Sequence, residues 1–157
     1  MDWVGLILNL VTLIVFEEAK VERVLPLLGK PFEKDIDSWR IEPSDCYGSL
    51  LREASIEFED SETQTGLIEA VELDLAEPWR MLPDVLGEAL GTLARHIPPD
   101  PTMLMPGIQH RPRPSTVVYY IDRSGKTGAV TVTGAPVEGH TGEEMKISEI
   151  LVRRDQG

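Results

Sequence analysis

Four carboxylates form the most pointed chemical pattern in the chain. Glu57 and Glu59 alternate with Ile56 and Phe58, and Glu72 and Asp74 alternate with Val71, Leu73 and Leu75. A period of two sends successive side chains to opposite faces of a strand. Two antiparallel strands over residues 55–60 and 67–75, joined by the polar connection 61–66, therefore gather the four acids on one face and the apolar residues on the other. Acids grouped in this way could bind Mg²⁺ or Ca²⁺ if they converged. They could act as acid and base, as in glycoside hydrolysis, if one sat in a cleft with a raised pKa. They could also present a negative surface to a cationic partner. Alternation along a hairpin describes a solvated face rather than a cleft, which favours the third use.

Other chemistry has weaker support. His96, His110 and His140 show no ligand-like spacing, and none belongs to a His-Glu-x-x-His helix. His140 lies beside Glu138, Glu143 and Glu144 in what reads as a solvated loop. Cys46 is the only cysteine, so a zinc cluster of cysteines and an intrachain disulfide are both impossible. A lone cysteine with no histidine near it in sequence reads as a small hydrophobe rather than a nucleophile. Ser124-Gly125-Lys126-Thr127-Gly128 has the flavour of a phosphate loop, but the position of its upstream glycine is Tyr120. A hairpin turn explains it better. Neither a cofactor nor a metal is expected, and no catalytic residue is assigned.

The 157 residues fit one acidic domain spanning 1–157, long enough to bury a core without staples. Lys plus Arg number 15 and Asp plus Glu 27, for a net charge of -12. That balance repels nucleic-acid phosphates and anionic membranes and steers the chain toward basic partners, besides keeping it soluble. Residues 3–16 are apolar except for Gly5, Asn9 and Thr12. The run is shorter than the roughly 20 residues of a membrane span. Asp2 precedes it and Glu17 and Glu18 follow it, unlike a signal peptide. A buried element is expected, and a cytoplasmic protein with it. A minority reading makes the run an anchor or a dimer contact.

The remaining elements frame the carboxylates. Residues 3–16 carry many β-branched types yet place Gly5, Asn9, Thr12 and Phe16 on one helical stripe, which tips the reading toward a helix. Residues 17–28 read as a helix with Val21, Val24, Leu25 and Leu28 on its apolar side and an awkward Pro26. Gly29 and Pro31 end it, residues 32–37 connect, and 38–41 form a short strand with Trp39. That helix, Leu28-Gly29-Lys30-Pro31 and the tryptophan strand resemble the opening of small bacterial helix-plus-sheet binding domains such as the β-lactamase-inhibitor-like fold. The resemblance implies a protein-binding scaffold without an active site. Residues 42–47 suggest a turn, and Trp79 and Met81 anchor the crossing to the next helix.

The strongest helical pattern starts at Pro83 and Asp84 and runs through Val85, Leu86, Ala89, Leu90 and Leu93 to Ile97, with Gly87 and Gly91 on another face. A proline-rich loop at 98–114 holds the basic cluster His110-Arg111-Pro112-Arg113. Residues 116–122 and 127–133 form a second hairpin. There Val118 and Tyr120, backing Val117, Tyr119 and Ile121, imply a strand covered on both faces. Residues 145–152 close the fold as a strand or helix.

The expected architecture is α+β, a mainly antiparallel sheet of about four to six strands on two or three helices. The expected function is that of a non-enzymatic binding module, monomer or homodimer. Bacterial immunity proteins, which neutralise toxins and often block the cationic groove of a nuclease, resemble it in being small, acidic and free of an active site. The partner would be a basic protein, with no direct contact to nucleic acid or membrane. Its binding residues would be Glu57, Glu59, Glu72 and Asp74, with Trp39, Tyr47 and Trp79 as candidates for aromatic affinity, although each of the three taken singly reads more readily as core. The alternatives are a small hydrolase using carboxylates and a histidine, and a structural or chaperone-like adaptor dimerising through residues 3–16.

Overall fold

The computed structural model describes residues 2–47, 49–59, 67–97, 115–137 and 144–155. The proline-rich loop, His110, His140 and the 61–66 connection lie outside these residues. The fold is α+β, with an antiparallel sheet packed against helices. The strands are β1 (Gly29–Lys34), β2 (Ser38–Pro43), β3 (Leu51–Phe58), β4 (Ile68–Met81), β5 (Arg95–Ile97), β6 (Ser115–Arg123), β7 (Lys126–Pro136) and β8 (Met145–Arg154). They lie in the order β1-β2-β3-β4-β8-β7-β6-β5, two more strands than the upper expectation. The strand that follows all the others in the chain, β8, sits between β4 and β7 and joins two antiparallel meanders.

One face of the sheet carries the helices. α1 (Trp3–Val11) opens with the Asp2 carboxylate accepting from the Gly5 amide at 3.1 Å. It continues into a π-helical turn, Thr12–Phe16. The leaning toward helix over residues 3–16 is thus met. Burial decides it, because Ile7, Leu10 and Ile14 are fully enclosed and such a site accepts a helix greasy on most sides. The chain then turns at Glu18, a non-glycine residue with φ of 49°. α2 (Val21–Leu28) consequently starts later than the helix expected over residues 17–28, but buries Val21, Val24 and Leu28 as anticipated. Gly29 has φ of 148°, and a Cβ there would fall 2.0 Å from the Glu42 carbonyl oxygen, so only glycine fits. The chain enters β1 at once, where a polar connection was expected over 32–37.

The long helix expected to reach Ile97 is corrected. α3 (Pro83–Leu90) stops at Gly91, which takes the left-handed φ of 74° while the Thr92 amide donates to the Gly87 carbonyl at 2.9 Å. Leu93 is exposed, and Arg95, His96 and Ile97 pair with β6 instead. The second hairpin forms as expected, and its turn tightens to Ser124 and Gly125, both with positive φ. The expectation that β6 is covered on both faces is met at Val118, which is buried, but not at Tyr120, which is exposed. β6 lies one strand from the sheet edge, and among the described residues no helix reaches that side of it.

The core fills the helix-bearing face. Ile41, Ala54, Ile56, Val71, Leu73, Val130, Val132, Ile150 and Val152 point into it. Tyr119 is fully enclosed there, and its hydroxyl donates to the Pro83 carbonyl at 2.7 Å. Burial raises its pKa.

Candidate partner-binding face

The register fixes which residues share the opposite face, which no element among the described residues covers. One row crosses all eight strands: Glu33, Arg40, Ser55, Glu72, Leu151, Thr131, Val118 and Arg95, each paired with the next. In the row on one side, Glu53 pairs with Asp74 and Asp74 with Glu149. In the row on the other side, Glu57, Ala70, Arg153, Ala129 and Tyr120 follow one another. Alternation along β3 and β4 sends these residues away from the helices, as their sequence pattern anticipated. Glu57, Glu72 and Asp74 therefore do share a face, and Glu53 and Glu149 join them.

Cations compensate only part of this charge. The Arg40 guanidinium forks onto Glu53, with Nη2 to Oε2 at 2.9 Å beside a second contact through Nε, and reaches Glu33 through Nη1 at 3.0 Å. The Arg40 hydrogen bonds hold the Glu53 carboxyl below its ordinary pKa. Arg52 stands 3.5 Å from Asp74. Among the described residues, no cation pairs with Glu57, Glu72 or Glu149. Glu72 lines a shallow depression of about 310 Å³ with Arg40, Glu53, Ser55, Asp74 and Glu149. Partial burial raises its pKa first, and the neighbouring charges of Glu149, Glu57, Asp74 and Glu53 raise it further.

Four other sequence-derived candidates are not where the pattern placed them. Glu59 leaves the acidic face and binds Arg154, the β8 residue whose pairing with Gly128 turns it toward the helices. Arg154 also meets Glu18 at 3.5 Å, and Lys126 meets Glu18 at 3.7 Å. These groups tie the end of the π-helical turn to β3, β7 and β8, a structural task. The physical reason is that β3 ends at Phe58, so strand alternation no longer governs Glu59.

The three aromatic candidates follow the core reading that each carried singly, not the anchor reading. Tyr47 is buried and stacks on Trp3 at 6.3 Å, and Trp79 lies 6.4 Å from Trp3. The Tyr47 hydroxyl donates to the Leu27 carbonyl, and burial pushes its pKa up to about 12. Trp39 pairs with Ile56 on the helix-bearing face, meets Phe58 edge-on and is capped by Lys34. All three belong to the core or its margin.

Residues that sequence reasoning missed occupy the uncovered face instead. Glu53 precedes the strand expected over residues 55–60, and Glu149 lies in a segment left open between strand and helix. A register shift in β7–β8 pairing, between Thr133 and Gly134, sends Ile147 and Ile150 to the core with two residues between them. That break hides the strand period. Phe32 is exposed because a bulge sets both Phe32 and Glu33 opposite Arg40.

Cys46 is exposed, its Sγ 2.8 Å from Ser44 Oγ, and His96 is exposed on β5. Among the described residues, no three His, Cys, Asp or Glu side chains are grouped to hold a metal ion. No helix among them is long and apolar enough to cross a membrane. Comparison of the chain with protein-family models, curated proteins and solved structures finds no match.

Proposed function

We propose that this protein is a non-enzymatic binding module that captures a basic protein on the uncovered sheet face. A toxin, such as one carrying a nuclease domain, is the partner class that its charge suits best, in the manner of cytoplasmic bacterial immunity proteins. One observation carries this reading. Glu57, Glu72 and Glu149 stand together on an uncovered face with no cation partner among the described residues. Like charges held this close repel, and a partner bringing cations relieves the repulsion. The long-range field of the -12 chain accelerates the encounter.

The test is association with a basic protein recovered from the source cells. Glu57→Lys, Glu72→Lys and Glu149→Lys together should slow association and flatten its dependence on salt. Unchanged rate and salt slope would overturn the assignment of the face.

The raised pKa of Glu72 beside other carboxylates favours a second reading, a hydrolase in which Glu72 donates a proton. Turnover of glycoside substrates that disappears in Glu72→Gln would support it, and would displace the binding reading.

A further inference from the structure

We infer that the uncovered face is one continuous docking platform, anchored at its two margins by Phe32 with Arg40 and by Tyr120 with Arg95, and that its occupant is a folded basic protein. The inference rests on the acidic-face reading and adds what that reading lacks, a source of affinity.

At the β1–β2 margin, the Arg40 guanidinium lies 5.3 Å from the Phe32 ring, and Phe32 is 56% exposed. At the β5–β6 margin, the Arg95 guanidinium lies 5.0 Å from the Tyr120 ring, and Tyr120 is 49% exposed. Each ring is fixed by a stacked cation yet leaves about half its surface in water, where a partner can cover it. Aromatic residues and arginine are the side chains that most often dominate protein interfaces. Between the two pairs the floor is short and mostly uncharged on β7 and β6, and acidic on β3 and β4. The platform thus offers apolar contact at both margins and charge near its middle.

Its size suits a stable complex. Eight strands about 4.8 Å apart span roughly 34 Å. Six residues at about 3.3 Å each give roughly 20 Å along the strands. The product, roughly 700 Å², is close to the ~800 Å² that each partner contributes to a standard protein interface. Charge selects the occupant. A second copy would set the same carboxylates against each other, and phosphate backbones or anionic lipids would meet unpaired carboxylates. A basic protein surface places cations over Glu57, Glu72 and Glu149 while covering both rings.

The test introduces a photo-crosslinking amino acid at Thr131, mid-platform, or at Glu88 on the helix side, and exposes each protein to whole extract of the source cells. The expected product is one basic protein, of pI above about 9, crosslinked from Thr131 and not from Glu88. With that protein purified, Phe32→Ala/Tyr120→Ala should raise the dissociation rate at least about tenfold, while the triple lysine variant lowers the association rate. Unchanged urea midpoints would show that the variants remain folded. Loss of binding in the lysine variant with an unchanged dissociation rate in Phe32→Ala/Tyr120→Ala would overturn the anchors and leave the acidic-face reading standing. Loss in neither variant would overturn both. A crosslinked second copy, crosslinking from Glu88 alone, or no protein product from Thr131 would overturn the choice of occupant.

Discussion

The two faces of one sheet, built from alternate residues of the same strands, obey different physics. On the helix-bearing side, Ile56, Val71, Leu73, Val130 and Ile150 are buried, and among the described residues none that is polar or charged is buried there. On the other side, Glu57, Glu72, Glu149, Thr131 and Tyr120 meet water, and the neighbouring carboxylates oppose rather than satisfy the charge of Glu72. The first face minimises free energy within the chain. The second carries repulsion that folding alone would not select. The difference teaches where to look for function: a surface that costs stability and receives nothing back internally is the one whose compensation can come from outside.

Adjacent truncations should break this comparison most visibly. Ile150→Ala, on the enclosed side of central strand β8, should cost about 2–5 kcal/mol in urea unfolding. Leu151→Ala, pointing the other way, should cost about 1 kcal/mol or less. Equal losses would mean that the outer side is as tightly packed as the inner. Next in size, Arg154→Met should cost about 1–3 kcal/mol, because Glu18 and Glu59 would lose the cation they share. Arg52→Met, whose partner Asp74 is on the open face, should barely move the midpoint.

Charge reversal sharpens the contrast. The Glu57→Lys/Glu72→Lys/Glu149→Lys protein should unfold at the same urea concentration as the parent or higher, since repulsion is relieved. Its association with the basic partner should slow on the order of tenfold at low salt.

The smallest effect is a pair of opposite pH dependences. Glu72 has a raised pKa when folded, so its contribution is fully present below its ordinary value of 4.5 and is lost as pH rises through the higher folded value. Glu72→Gln should therefore raise the midpoint at pH 7 and leave it little changed at pH 4. Glu53 is held low by Arg40, so its contribution is present above 4.5 and fades as pH falls through the lower folded value. Glu53→Gln should lower the midpoint at pH 7 and lose that effect in acid. Urea titrations at several pH values separate the two signs.

Alternation made the two faces of β3 and β4 legible, and with them the shared exposure of Glu57, Glu72 and Asp74. It could not reveal that Glu59 belongs elsewhere, because its partner Arg154 lies 95 positions away in the chain. Trp39, Tyr47 and Trp79 stood between anchor and core because an aromatic type alone does not reveal its face. A distant contact with Trp3 settles two of them. Phe32 was hidden by a bulge, which suspends the period of two at the position where the ring emerges. The end of α3 was readable in principle. Gly91 is a natural terminator, but the helix-favouring Leu93, Ala94 and Arg95 and the apolar spacing of Leu93 and Ile97 masked it.

The placement of β8 bears on how the molecule is born. Its neighbours β4 and β7 emerge from the ribosome earlier, each with one edge bare until residues 145–154 arrive to bridge them. Closing a sheet through so distant a pairing makes folding slow. Until then a nascent chain exposes two sticky edges, which makes this the interval in which a holdase would matter most.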